Sequence, residues 1–191
     1  MTVDDRVRVL VLNGGSSSGK STLAGALQEI LDGYWLRLGV DTLIDAAPAR
    51  LTTVGGGLVL ADDGSIEVGP DFKLLERQWS IGIAALARAG AAVIIEDNFL
   101  SGPAAQQRWR DALGDLPTGW VGVRCPPGVA AVRERARGDR IAGMAARQAD
   151  AVHRGIAYDL EVDTSTEPAA TVARRIRDHF FADNGRAGRD R

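Results

Sequence analysis

The stretch Gly14-Gly15-Ser16-Ser17-Ser18-Gly19-Lys20-Ser21 has the spacing G-x-x-x-x-G-K-[ST], and Thr22 follows it. A loop of this kind turns successive backbone N–H groups inward and, with the N-terminus of the next helix, makes a nest for a nucleotide's phosphates. In that nest Lys20 reaches the β- and γ-phosphates, the Ser21 hydroxyl binds Mg²⁺, and Thr22 adds a contact to the α-phosphate. Two acidic positions and a set of arginines complete the chemistry-bearing residues. Asp41 follows the apolar stretch 35–40, and Asp97 follows the apolar run 91–95 and Glu96. Acids at the carboxyl ends of buried strands point into the crevice where open α/β sheets bind ligands. Asp97 is therefore expected beside Mg²⁺, with the capping of a turn as its alternative, and Asp41 beside a reacting hydroxyl, with helix capping as its alternative. Arg133, Arg135, Arg137 and Arg140 crowd one segment. Planar guanidinium groups match the charge that a phosphoryl transition state spreads over three oxygens, so residues 133–143 read as a short lid hinged at Gly138 and Gly143. A solvated basic face is the alternative.

These residues need elements to hold them. Residues 7–12 are β-branched or Leu almost throughout, the pattern of a parallel strand buried on both faces, and apolar positions 23, 24, 26, 27, 30 and 31 continue at helical spacing. Residues 35–40 and 120–125 read as further strands, and 158–165 as a last one. Two short apolar runs, 58–60 and 65–68, flank Ala61-Asp62-Asp63-Gly64 and predict a β-hairpin inserted into the α/β pattern. A long helix from Pro70 to Gly90 carries Phe72, Leu75, Trp79, Ile83 and Leu86 at helical spacing, with Trp79 read as core. Trp79 and Phe99 are placed near the acceptor end, and His153 and His179 on the surface.

The 191 residues suit one domain over 1–182, with a polar, disordered tail at 183–191. A net charge of -2 argues against a nucleic-acid partner and directs attention to a small-molecule pocket. Cys125 is the single cysteine, which excludes an intrachain disulfide and a cysteine-based zinc site. No apolar run is long enough for a membrane span, and the expectation is a cytoplasmic protein, with self-association into a homo-oligomer left open. A regulatory GTPase is disfavoured: Asp111-Ala112-Leu113-Gly114 matches D-x-x-G by letters, but the chain has no Asn-Lys-x-Asp motif.

Together with the phosphate loop, the stretches Gly39-Val40-Asp41-Thr42-Leu43-Ile44-Asp45, Arg137-Gly138-Asp139-Arg140-Ile141-Ala142-Gly143-Met144-Ala145 and Tyr158-Asp159-Leu160-Glu161-Val162-Asp163-Thr164 resemble the chloramphenicol phosphotransferases over nearly the whole chain. The resemblance implies a three-layer, adenylate-kinase-like α/β fold of the P-loop nucleoside-kinase kind, with a central mostly parallel sheet, the hairpin insertion and the Arg-rich lid. It also implies ATP with Mg²⁺ and transfer of the γ-phosphoryl group to the primary hydroxyl of chloramphenicol, which inactivates the antibiotic. Asp41 is then the base, Lys20, Arg133 and Arg137 assist the transfer, Arg137 and Arg140 meet the nucleotide, and Ser21 with Asp97 hold the metal. The chain departs from the family at Glu96, where an acid of shorter reach is usual. A kinase of another small hydroxylated metabolite would use the same residues.

Overall fold

A computed structural model describes residues 7–52, 55–60, 66–137 and 143–182. The elements in chain order are β1 (Val9–Asn13), α1 (Lys20–Ile30), β2 (Trp35–Gly39), α2 (Val40–Ala46), a 3₁₀ turn (Ala49–Thr52), β3 (Leu58–Leu60), β4 (Ile66–Val68) and α3 (Pro70–Arg88). They continue with β5 (Ala92–Asp97), α4 (Pro103–Leu113), β6 (Thr118–Arg124), α5 (Pro127–Arg137), α6 (Met144–Ala151), β7 (Leu160–Asp163) and α7 (Ala169–Phe181). The main sheet is all-parallel in the order β2-β5-β1-β6-β7, and β3 pairs with β4 as a separate antiparallel hairpin. The expected three-layer architecture with its hairpin is therefore present. The hairpin turn at 61–65, Gly138 and Arg140 of the expected lid, and the tail at 183–191 lie outside the described residues, as does the side chain of Arg137.

Strand alternation decides which residues meet which helices. Leu10, Leu12 and Ile94 pack with Leu23 and Leu27 of α1 and with Val172 and Ile176 of α7. On the opposite face Val9, Val11, Val93 and Ile95 pack with Ile83 of α3 and Trp109 of α4. A third, smaller cluster of Leu43, Leu58 and Phe72 lies under the hairpin. Trp79 packs against the second and third clusters, as its reading as core requires. Phe99, expected near the acceptor end, is buried in the second cluster. Gly39, at the carboxyl end of β2, touches the β5 backbone so closely that a Cβ would collide with the carbonyl oxygen of Glu96. That approach brings the start of α2 against the end of β5. Among the described residues no helix is long and apolar enough to cross a membrane.

Candidate active site

The carboxyl ends of β1, β2 and β5 open into a cleft of about 1280 Å³. One end is the phosphate loop. Ser17 (φ 56) and Gly19 (φ 89) are both left-handed, which curls the loop, and Lys20 begins α1 directly after it. Lys20 Nζ donates to the carbonyl oxygens of Gly14 at 2.5 Å and Gly15 at 3.0 Å, so the ammonium lies within its own loop. The Ser16 N–H donates to Gln148 Oε1 at 2.8 Å, fastening the loop to α6. The hydroxyls of Ser17 and Ser18 are buried without hydrogen-bond partners, and a Cβ at Gly14 would come within 2.6 Å of the Val123 carbonyl oxygen. This is a tight, donor-rich cradle of the kind a phosphate group fills.

Glu96 and Asp97 are adjacent in sequence and opposite in direction. Glu96 points to the α1 side, where its Oε2 accepts from the Ser21 hydroxyl at 2.7 Å and its Oε1 from Arg37 Nε and Nη2 at 3.0 and 2.8 Å. Asp97 points to the α4 side. Its Oδ1 accepts from the N–H groups of Asn98 and Phe99, and its Oδ2 from Trp109 Nε1 at 2.6 Å. Asp97 thus closes a turn and ties it to α4, as in the capping alternative, and the carboxylate hydrogen-bonded to Ser21 is Glu96 rather than the Asp97 expected beside the metal. A hydroxyl and a carboxylate 2.7 Å apart are the hard oxygens that Mg²⁺ takes from a protein when substrate phosphates supply the rest. Among the described residues there is no cluster of three or more metal-ligating side chains, so a site supplied largely by the protein is not built here.

Asp41 is exposed at the second position of α2 and lines the cleft. The N-cap of α2 is Gly39, two residues before it. The Gly39 N–H donates to Thr42 Oγ1 at 3.2 Å. Arg133 also lines the cleft, but it is anchored: Nη2 donates to the Thr164 carbonyl at 2.7 Å and Nη1 reaches the Ser18 carbonyl at 3.5 Å. Its guanidinium sits behind the phosphate loop beside Gly19 rather than at the tip of a lid. Arg140 and the Arg137 side chain are outside the described residues. Asp111, the first letter of the D-x-x-G match, is exposed on α4 and paired with Gln107 at 2.7 Å, away from the phosphate loop.

Two groups went unread in the sequence. Glu76 on α3 and Arg108 on α4 meet at 3.3 Å in the cleft wall, 32 residues apart. Burial pushes the Glu76 carboxyl up to about 7, with Arg108 pulling it down and Asp97 pushing it further up. His153, expected on the surface, is buried, because the end of α6 packs under the end of β1. Asn13 Nδ2 donates to the Val152 carbonyl at 2.8 Å and to Tyr158 Oη at 2.5 Å, and Tyr158 Oη lies 2.7 Å from His153 Nδ1. Burial and the nearby Arg124 push His153 down to about 4, while burial pushes Tyr158 up to about 12. The tyrosine hydroxyl and a neutral imidazole therefore share this hydrogen bond.

A pH dependence follows. The folded pKa of His153 is below the unfolded one, so its contribution is present above about 6.5 and lost as pH falls toward about 4. Wild-type protein is expected to lose about 2 kcal/mol from this group between pH 7.5 and pH 5. Glu76 has the opposite sign, stabilising below 4.5 and losing that contribution as pH rises through about 7. Urea unfolding of wild type and His153→Gln across that range isolates the histidine: the gap between the two curves narrows at low pH, and a pH-independent gap refutes the assignment.

Comparison with known proteins gives the following. A family model described as "Chloramphenicol phosphotransferase-like protein" matches residues 7–181. A Mycobacterium tuberculosis (strain H37Rv) protein named "Putative O-phosphotransferase Rv2636" is 29% identical, the match covering 92% of this chain and 83% of that protein. A sugar kinase from Janibacter sp. has a similar fold, with TM-score 0.63 at 20% identity, covering 90% of this chain and 92% of that one. So has a gluconokinase from Sinorhizobium meliloti, with TM-score 0.60 at 18% identity, covering 92% and 93%.

Proposed function

We propose, for a chain that belongs to the chloramphenicol phosphotransferase-like family, that it moves the γ-phosphoryl group of ATP to a hydroxyl of a small molecule, with the primary hydroxyl of chloramphenicol as its acceptor and inactivation of the antibiotic as the outcome. The observation that carries this reading is the single cleft that joins the phosphate loop and the Ser21–Glu96 pair to Asp41. Lys20 leaves the Gly14 and Gly15 carbonyls for the β- and γ-phosphates, and the loop N–H groups hold the β-phosphate. Ser21 and Glu96 are the residues that would hold Mg²⁺, which would supply neutralisation of the phosphate charge. Asp41 orients the acceptor hydroxyl and takes its proton as the new O–P bond forms and the bond to the leaving ADP breaks. Arg133 fixes the loop from behind, and Arg137 and Arg140 are assigned to the transferring group.

The test is incubation of the purified protein with ATP, Mg²⁺ and chloramphenicol, followed by mass spectrometry for the phosphorylated drug. Absence of that product, with another hydroxylated compound phosphorylated in its place, transfers the reading to a different acceptor. The metal assignment has its own expected result. Glu96→Gln raises the Mg²⁺ concentration needed for nucleotide binding by about tenfold or more, because a charged oxygen ligand is lost. Asp97→Asn instead lowers the melting temperature and leaves that concentration nearly unchanged. Titration of Mg²⁺ against nucleotide binding in both variants decides it, and the reverse pattern would restore Asp97.

A further inference from the structure

Helix α6 lies directly on the phosphate loop. A Cβ at Gly15 would come within 3.1 Å of the Gln148 carbonyl carbon and Cβ and 3.2 Å of the Ala149 nitrogen, so the first turn of the loop rests on the helix backbone. Both ends of α6 are fastened. At its start the buried Glu134 carboxylate of α5 accepts from the N–H groups of Gly143 and Ala145 at 2.8 and 2.7 Å. At its end the Val152 carbonyl accepts from Nδ2 of Asn13, the last residue of β1. Gln148, between these anchors, is 7% exposed and lines the cleft. Its side chain has two polar ends, and the loop uses one of them. The Ser16 N–H can be met only by the carboxamide oxygen, and that bond, at 2.8 Å, sets the orientation of the amide and leaves Nε2 with both its N–H groups. Among the described residues nothing accepts from Nε2. A side chain so little exposed ordinarily has its donors paired. The groups around the same turn are of one kind: Lys20 Nζ lies on the Gly14 and Gly15 carbonyls, and the Ser17 and Ser18 hydroxyls are buried without partners. An ammonium, two hydroxyls and a carboxamide N–H₂ suit an anion with several oxygens.

We infer that Gln148 is a further phosphate-binding residue, its Oε1 holding Ser16 and its Nε2 donating to the terminal phosphate, so that the cleft holds a nucleoside triphosphate more tightly than the diphosphate left after transfer. The inference rests on the phosphotransferase reading of the cleft and adds to it a preference for the substrate nucleotide over the product. Lys20 is assigned to the β- and γ-phosphates, and a donor that converges on the same turn of the loop meets the γ-oxygens, which a diphosphate lacks. The choice of a neutral amide matters. The field of an ammonium reaches both phosphates and holds substrate and product alike, whereas a hydrogen bond from an amide is felt only by the phosphate it touches. Because α6 is fastened at both ends, the donor is in place before the nucleotide arrives and little ordering is needed when it binds.

The experiment is calorimetric binding of ADP and of a non-hydrolysable ATP analogue to the full chain in the presence of Mg²⁺, with the melting temperature of each variant measured beside it. Gln148→Met keeps the length of the side chain and removes both polar ends. It is expected to weaken the analogue by about 10- to 100-fold, as loss of a hydrogen bond to a charged group does, and ADP by only a few-fold through the loosened Ser16. Gln148→Glu separates the two roles, because a carboxylate still accepts from the Ser16 N–H but turns a negative charge on the phosphate. Its melting temperature is expected to stay near that of wild type, while its preference for the analogue over ADP falls by about tenfold or more. If one variant does not fold, the other decides. Equal weakening of both nucleotides in Gln148→Met would make Gln148 a fastener of the loop and overturn the inference, as would an unchanged preference in Gln148→Glu. Wild type that binds neither nucleotide removes the nucleotide reading of the cleft and the inference with it. If the preference changes as described and no hydroxylated compound is phosphorylated, the transfer reading fails while the role of Gln148 stands.

Discussion

Lys20→Ala is expected to slow phosphoryl transfer by about 10³-fold or more while the protein stays folded. The reason is the position of the ammonium. It sits in a polar loop on two carbonyl oxygens, not in any of the hydrophobic clusters, so its removal forfeits two partly buried hydrogen bonds worth about 1 kcal/mol each. On the proposed reaction, the same ammonium would face the charge that develops on the β–γ bridge in the transition state. Single-turnover rates with ATP, read beside the melting temperature, make the comparison. Transfer at close to the wild-type rate would remove the loop from the reaction.

Asp41→Asn comes second, with turnover expected to fall by about 10²–10⁴, the usual range for a general base. The substitution keeps size and one hydrogen-bond acceptor and removes charge and basicity. Because the N-cap of α2 is Gly39, whose N–H is accepted by Thr42 Oγ1, the fold should survive with a loss of no more than about 1 kcal/mol from the first-turn charge. Asp45, one turn further along the same helix, is the internal control: Asp45→Asn should leave turnover within a few-fold. A loss of melting temperature with turnover preserved would make Asp41 a helix-end charge and nothing more.

Much of this was legible in the chain. The phosphate loop, the doubly buried strands, the hairpin and the long α3 all rest on local patterns, and local patterns survive folding. What was not legible depends on direction. The run 91–95 was read as ending before the acids, whereas β5 continues through Asp97, so Glu96 and Asp97 project to opposite faces. Parity with Ile94 and Ile95 would have assigned them, since Ile94 belongs with α1 and Ile95 with α3 and α4. Glu76 and Arg108 sit on different helices, and no periodicity along either one reports on the other. His153 looked isolated because its partners, Asn13 and Tyr158, come from the ends of distant segments. Arg133 was read by its charge alone, and only the fold shows that its fork is spent on the Thr164 and Ser18 carbonyls.

The small cluster under the hairpin has a consequence for how such a chain changes over generations. Leu43, Leu58 and Phe72 form a core of their own, joined to the nucleotide half mainly through Trp79. Substitutions in that patch redraw the wall that an incoming alcohol meets, while the strands that carry Lys20, Ser21 and Glu96 keep their packing. The acceptor that the cleft takes can then change by substitution in one corner of the molecule. Gly39 marks the border: any side chain there would wedge β2 from β5 and carry the start of α2, with Asp41, away from the end of β5.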